Sequence, residues 1–437
     1  MLLHLRRALL RASPTVSKVS KYFKSQIPSQ GRSSTPGSRR SKGKMATSLD
    51  DAQIERMARN FTKWKPVSHQ PMAPRQHEIE FSIMTFNILA QENLDNHPIV
   101  YQDIKREFLP WEYRRGRIIE QLLRQNCDVL CLQEVQADHL EDFLGPRLAR
   151  EGYEYVFKCK TGGKNEGCAV FWKKSVFGIL NVSQVEFLKP GCRTLNRDNV
   201  GLVVTLTPLA NRQAKLCVAT THLLFNPKRG DVKLAQLRYL MANVEEAAFL
   251  GVSRANGQLI YAPTILCGDL NATPHCPLYR FVVSGKLEVD GLLHGEISGP
   301  RTGTVIKPEE VHVGNLLPNT IFEDTFVSRF GEQALDSLQY AFDHNIISHT
   351  LGKFQSCYSH TKKGLPEVST YVDNAETVDY IFFQASRLLR HTATLDLMVK
   401  NELDALGSIP NAAMGSDHLP LASRFILKGI PADYLDR

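Results

Sequence analysis

Asp269 and Asn271 close the run Thr264-Ile265-Leu266-Cys267-Gly268-Asp269-Leu270-Asn271, which begins as a short apolar strand and stops in Gly, Asp and Asn. Side chains along a strand alternate with period two, so this carboxylate and carboxamide are expected to point the same way. The carboxylate can take a proton or hold a metal, and the carboxamide can donate hydrogen bonds to a developing anion. Gly-Asp and Asn-x-x-Pro are also ordinary turn chemistry. The pair therefore acquires meaning only from the other strands.

Those strands repeat the pattern. Apolar runs stop at Asn87, Glu134, His222 and Asp379, and Gly415-Ser416-Asp417-His418 immediately precedes another. Chance turns would scatter Ser, Lys and Thr among these positions. Loops on one edge of a layered α/β protein gather into sites, so these residues can converge. Together they suit hydrolysis of a phosphate ester, which needs neutralised phosphoryl oxygens, an activated water and a stabilised leaving oxygen. Glu134 is suited to hold Mg²⁺, a hard cation that takes only one or two carboxylates directly, with Asn87 and Asp417 beside it. No His or Cys cluster has zinc spacing. His418, oriented by Asp379, is the expected proton-transfer or transition-state group. Asp269 is expected to orient or deprotonate the water, Asn271 to hold a non-bridging oxygen and His222 to contact the phosphate.

The elements that must position these residues are legible from apolar patterning. Strands are expected at Ile79–Leu89, 128–135, Tyr153–Lys158, Cys168–Trp172, Ile179–Phe187, Val200–Leu206, Lys215–Leu224, Thr377–Phe383 and Leu419–Leu427. Helices are expected at Trp111–Gln125, around His139–Arg150 and at Val232–Phe249. One large α/β domain fits, a two-layer sandwich of mixed β-sheets flanked by helices. It spans 78–428, after a linker at 50–77 and before a tail at 429–437. Residues 286–365 are weakly periodic and read as an insertion with little regular structure.

The net charge of +8 is unevenly spread. Residues 1–49 hold eleven Lys and Arg and no acid, and subtracting them leaves −3 for the remainder. Any nucleic acid must therefore meet a local basic patch, because the body is slightly acidic. Leu and Arg fall on different faces of a helix at the N-terminus, followed by an acid-free Ser-, Lys- and Arg-rich stretch. That is transit-peptide composition, and the mitochondrial matrix is the expected location, with the cytoplasm as the alternative. Nine scattered cysteines, with no Cys-x-x-Cys pair, argue for a reducing compartment. No apolar run reaches the length of a membrane span, so no membrane association is expected.

In this order, Phe86-Asn87, Leu132-Gln133-Glu134-Val135, Thr221-His222-Leu223, Gly268-Asp269-Leu270-Asn271, Val378-Asp379-Tyr380 and Ser416-Asp417-His418 resemble the exonuclease–endonuclease–phosphatase superfamily, with its DNase I-like fold. Within it, Trp111-Glu112-Tyr113-Arg114 is similar to the branch of nocturnin and the carbon catabolite repressor-type deadenylases. The stretch from Thr221 through Phe225-Asn226-Pro227-Lys228-Arg229 to Gln236 resembles the Angel family. That resemblance implies hydrolysis of 2′,3′-cyclic phosphates at RNA 3′ ends and removal of the remaining phosphate. It places Asn226, Pro227, Lys228 and Arg229 at the substrate. Lys158, Lys160 and Lys164 are read as basic residues of nearby loops.

The deadenylase relatives carry a leucine-rich-repeat scaffold, and no internal repeat is visible here. They also stack adenine on a Phe five residues before the Asp of the Asp-Tyr motif. Here that position is Asn374, and losing such a face removes about 1–3 kcal/mol per base. A 3′→5′ poly(A) exoribonuclease is the alternative activity. A non-catalytic adaptor that binds a translation factor is the alternative of another class, and RNA-processing or translation factors are the expected protein partners.

Overall fold

The computed structural model describes residues 50–61, 63–68, 73–252, 259–307, 310, 345–371 and 374–430. The stretch 1–49, read as a transit peptide, lies outside them, as do 431–437 and most of 308–344. Leu49–Arg437 form one compact unit.

Among the described residues, thirteen strands build two large sheets. In chain order they are β1 (Trp64–Pro66), β2 (Glu78–Asn87), β3 (Val129–Gln136), β4 (Tyr153–Cys159), β5 (Glu166–Lys173), β6 (Phe177–Leu188) and β7 (Asn196–Pro208). There follow β8 (Leu216–His222), β9 (Thr264–Asp269), β10 (Phe354–Ser356), β11 (Asp379–Gln384), β12 (Leu389–Leu395) and β13 (Leu421–Lys428). One sheet runs β1-β12-β13-β2-β3-β5-β4, the other β10-β11-β9-β8-β7-β6. Each is mixed. β2 pairs parallel with β3 and antiparallel with β13, and β9 pairs parallel with β8 and antiparallel with β11.

Strands β3, β8 and β9 are buried along their whole length. That explains why they read as continuous apolar runs without alternation. Between the sheets lies a core that includes Ile83, Val129, Cys131, Val170, Leu202, Val218, Ile265, Cys267 and Ile381. Helix Trp111–Arg124 covers the outer face of the first sheet through Ile118, Ile119 and Leu122. Helix Gly230–Ala248 covers the second through Leu234, Leu237 and Leu240. Among the described residues no helix is long and apolar enough to cross a membrane.

Three expectations are corrected. The stretch read as a linker holds helix Asp51–Phe61, which packs Ala58 into the core, and β1, which pairs with β12. The stretch read as an irregular insertion contributes β10 to the second sheet, and Lys286–Glu288 pairs with Ile346–Ser348. Asp379 begins its strand where the sequence reading had it end one. Because β11 runs antiparallel to β9, its first residue still lies at the edge where Asp269 ends its strand.

Candidate active site

Topology alone brings the polar strand ends together. β2 and β3 run parallel, so Asn87 and Glu134 finish at one edge. β8 and β9 run parallel, and His222 is the register partner of Asp269. β13 runs antiparallel to β2, so Ser416-Asp417-His418, just before it, returns to that edge. Below the edge, Gln133 of one sheet donates to Thr220 Oγ1 of the other at 2.9 Å.

The local backbone is specialised. A β-bulge lies between Leu132 and Val135, and Glu134 has φ +55°. Bulges re-aim side chains, and left-handed non-glycine residues gather at functional sites. Gly268, with φ +134°, permits the approach of β8: a Cβ there would sit 2.1 Å from the Thr221 carbonyl oxygen.

Glu134 is buried and accepts from Asn87 Nδ2 at 3.0 Å, Asn93 Nδ2 at 2.7 Å and the Ala90 amide at 3.0 Å. Burial works to raise its carboxyl, but the His222 ring, the Lys160 ammonium and the amides of Asn93 and Asn87 hold it down to about 2. Asn87 Nδ2 also donates to Asp269 Oδ2 at 3.1 Å, which makes it a bridge between two acids. His222 lies between the same two, with Nδ1 3.7 Å from Glu134 Oε1 and Nε2 3.5 Å from Asp269 Oδ2. Burial pushes its imidazole down, and burial pushes Asp269 up.

The opposite wall is the Asp379–His418 pair. His418 Nδ1 meets Asp379 Oδ2 at 2.8 Å, and Ser369 Oγ donates to the same oxygen at 2.7 Å. His418 Nε2 stands 3.8 Å from Asp269 Oδ2. Burial alone would lower the His418 imidazole, but Asp379 raises it well above its ordinary value. Asp417 accepts from Tyr101 Oη at 2.8 Å, and burial raises its carboxyl.

The donor set fits a divalent cation. Glu134, Asp269, Asp379 and Asp417 are buried carboxylates crowded at one edge. His222 Nδ1 and Asp379 Oδ1 are buried without a hydrogen-bond partner among the described residues. Asp269, Asp379 and His418 each offer an atom within 4.8 Å of the others. Oxygen-rich sites of this kind suit hard cations.

Two expected site residues, Asn87 at the metal and Asn271 at a non-bridging oxygen, are turned elsewhere. Asn87 presents its amide nitrogen to the carboxylates, while its oxygen accepts from the Leu89 amide at 3.1 Å. Asn271 lies beyond the strand end, so the period-two argument does not reach it. Its φ is +49°, its amide donates to the Asp269 side chain at 2.9 Å, and its carboxamide donates to the Leu223 carbonyl at 3.0 Å.

The loop 223–229, expected to meet substrate, leaves the carboxyl end of β8 beside His222. Asn226, Pro227 and Lys228 are exposed on it. Arg229 instead grips Asp231 through Nε and Nη2 at 2.8–3.2 Å and so closes the start of its own helix. Lys158 is on β4 and pairs with Glu186, and half-buried Lys160 pairs with Glu166.

Several positioning residues escaped the sequence reading. Asn93 and Tyr101 hold Glu134 and Asp417. Arg114, fully buried, donates through Nη1 to the carbonyls of Ile88, Leu89 and Gly415, tying the Asn87 and Asp417 loops together. Buried Lys233 donates to the Asn271 carbonyl at 2.5 Å and to Ser298 Oγ at 3.3 Å. The only sequence signal for any of these is a polar residue inside an apolar helical face, as at Arg114 and Lys233.

Residues 84–418 match the Endonuclease/Exonuclease/phosphatase family. The chain is 35% identical to protein angel homolog 2 of Homo sapiens over 388 residues, covering 81% of this chain and 70% of that protein. The chain belongs to the Angel branch of this family. It is 32% identical to protein angel homolog 1 of Mus musculus, covering 84% and 67% of the two chains. The crystal structure of ANGEL2, described as a 2′,3′-cyclic phosphatase and solved with adenosine-2′,3′-vanadate, aligns with a TM-score of 0.69 at 34% identity, covering 84% of this chain and 99% of that one. As an Angel-branch member the protein is a metal-dependent phosphoester hydrolase.

Proposed function

We propose that this protein hydrolyses 2′,3′-cyclic phosphates at RNA 3′ ends with Mg²⁺ and then removes the remaining terminal phosphate. The observation that carries the reading is the facing of Glu134 by the Asp379–His418 pair across Asp269 and His222, which brings carboxylates for a cation and a water, and an imidazole for a leaving oxygen, to one edge. Likeness to a relative described as a 2′,3′-cyclic phosphatase supports it. Asn374 supports it too, because it is exposed and offers no aromatic face for adenine.

Glu134 would hold the cation, with Asp417 beside it and Asn87 joining if its carboxamide turns its oxygen inward. Bound there, Mg²⁺ would supply charge neutralisation at the phosphoryl oxygens. Asp269, raised by burial, orients the water and takes its proton as the new O–P bond forms. His418, kept protonated by Asp379, stabilises the phosphoryl charge and gives a proton to the ribose oxygen as its P–O bond breaks. His222 contacts the phosphate, and Asn226, Pro227 and Lys228 line the approach.

Purified protein with Mg²⁺ is expected to open RNA ending in cyclic phosphate and release inorganic phosphate, leaving hydroxyl-terminated A-tails intact. Shortening of the A-tail with end phosphates untouched would select the exoribonuclease instead. No turnover of any substrate would select the adaptor that binds RNA-processing or translation factors.

We also place the protein in the mitochondrial matrix, on the acid-free basic composition of residues 1–49. A fluorescent reporter fused to that segment is expected to enter mitochondria. Cytoplasmic retention would overturn the assignment.

A further inference from the structure

Two loops at the active-site edge carry charge that the chemistry above does not use. Residues 160–165 join β4 to β5, and 189–195 join β6 to β7. Both lie at the edge of Glu134 and His222, because β5 is antiparallel to β3 and β7 is antiparallel to β8. The first is fastened to the start of β7, just past the second: Thr161 donates to the Asp198 carbonyl oxygen through its amide at 3.1 Å and to the Asp198 carboxylate through its hydroxyl at 2.7 Å. Gly162, with φ +67°, allows this closeness, since a Cβ there would meet Asp198 Oδ1 at 2.5 Å.

Segments 158–166 and 186–198 hold six basic residues and three acids. Each acid is already engaged: Glu186 with Lys158, Glu166 with Lys160 and Asp198 with Thr161. Lys164 and Arg193 are exposed and Arg197 is half-buried. Among the described residues none of the three forms an ion pair. Lys189 lies over the Tyr239 ring at 4.6 Å. Among these cations Lys160 is close enough to Glu134 and His222 for its charge to act on both. On a body whose charge from residue 50 onward is −3, this row of cations is the local patch that a polyanion would require.

We propose that Lys164, Arg193 and Arg197, with Lys189, form a track for the phosphodiester backbone of single-stranded RNA upstream of the reacting end. The protein then prefers polymer ends over free nucleotides. The inference rests on the RNA-end reading above and adds a substrate class to it. Such a track contacts phosphates and carries no base specificity. Its signature is salt dependence, with log affinity falling against log salt by about 0.7 per phosphate contact on a single strand.

The test compares wild type with the triple variant Lys164→Ala/Arg193→Ala/Arg197→Ala. Substrates are a mononucleotide 2′,3′-cyclic phosphate and an oligoribonucleotide of about twelve residues with the same end. A charge-matched control, Lys174→Ala/Arg212→Ala/Lys215→Ala, changes the turns at the opposite edge. The track variant is expected to lose roughly 10- to 100-fold in kcat/KM on the oligonucleotide and about 2 from the salt slope, while mononucleotide turnover stays unchanged. The control is expected to match wild type. Equal loss on both substrates, or an unchanged oligonucleotide KM, would overturn the track.

If wild type turns over neither substrate, the cyclic-phosphate reading fails separately. Anisotropy with hydroxyl-terminated single-stranded RNA then decides the track. Weaker binding by the track variant alone retains it, and equal binding by all three proteins rejects it. Binding to anionic lipid vesicles as tight as to RNA, lost in the same variant, would reassign the strip to a membrane surface and also reject it.

Discussion

Glu134→Gln is expected to lower turnover by about 10³-fold or more while leaving the fold in place. The size follows from what the carboxylate faces. Its three hydrogen-bond donors hold it in one orientation, and the left-handed bulge fixes its Cα at the edge where Asp269 and His222 end their strands. An amide is neutral and must turn its NH₂ either toward the Asn87 amide or toward the donors of Asn93 and Ala90, so it can neither hold a dication nor fit its own socket fully. The stability cost is limited, because the change also removes one charge from a crowd of buried acids.

Glu134 also makes a signed prediction about pH. Its folded-state pKa lies below the ordinary value of 4.5. Its stabilisation is therefore fully present above that value and is lost as pH falls toward about 2. The glutamine variant is expected to show a shallower loss of thermal stability across that window. Steady-state assays, divalent-metal titration and melting curves check the three parts. Turnover within tenfold of wild type at saturating Mg²⁺ would remove Glu134 from the cation's shell.

How far the sequence reveals such a site depends on the scale of the interaction. Buried strands announce themselves as apolar runs, and a carboxylate or imidazole where such a run stops stands out from ordinary turn residues. That is why Asn87, Glu134, His222, Asp269 and Asp379 could be named before any coordinates, and why two mixed sheets could be expected. Register and strand direction then do what pattern reading leaves undone, carrying Asp379 to the right edge from the start of its strand. Orientation was harder. The strand rule fails for Asn271 because a single left-handed residue ends the alternation. The cation expected at the substrate in Arg229 is satisfied by Asp231, two residues along its own chain.

Residues whose role is to hold another residue were hardest to see. Tyr101 reaches Asp417 across 316 positions of sequence, and Arg114 reaches Gly415 across 301. No local pattern encodes such distances. Helix Asp51–Phe61 was legible in principle, since Ile54, Met57 and Ala58 recur at helical spacing. The abundance of charge around them made the segment resemble a linker. β12 hides its signal because His391 and Arg390 interrupt a strand that is only partly buried.

Asp379→Asn is expected to lower turnover by roughly 10²- to 10⁴-fold, the range for losing a positioned proton donor. The carboxylate does two things for His418: it fixes the ring through Nδ1 at 2.8 Å, and it keeps the buried imidazole charged. Asparagine can still occupy the space and accept from Ser369, so the ring is expected to stay roughly in place while its hold on the proton weakens. The sign is open to direct measurement. In the wild type the folded pKa is raised, so the pair's stabilisation is fully present below about 6.5 and disappears as pH rises through the folded value. In the variant the strongest charge raising the ring is gone while burial and the more distant Asp417 and Asp269 remain, so the imidazole is expected to titrate at lower pH than in the wild type. Proton NMR of the His418 ring in chelator-treated protein separates the two. If both proteins titrate at the same pH, or if the variant retains more than a tenth of wild-type turnover, His418 is not the charged group that meets the phosphate and the leaving oxygen must find its proton elsewhere.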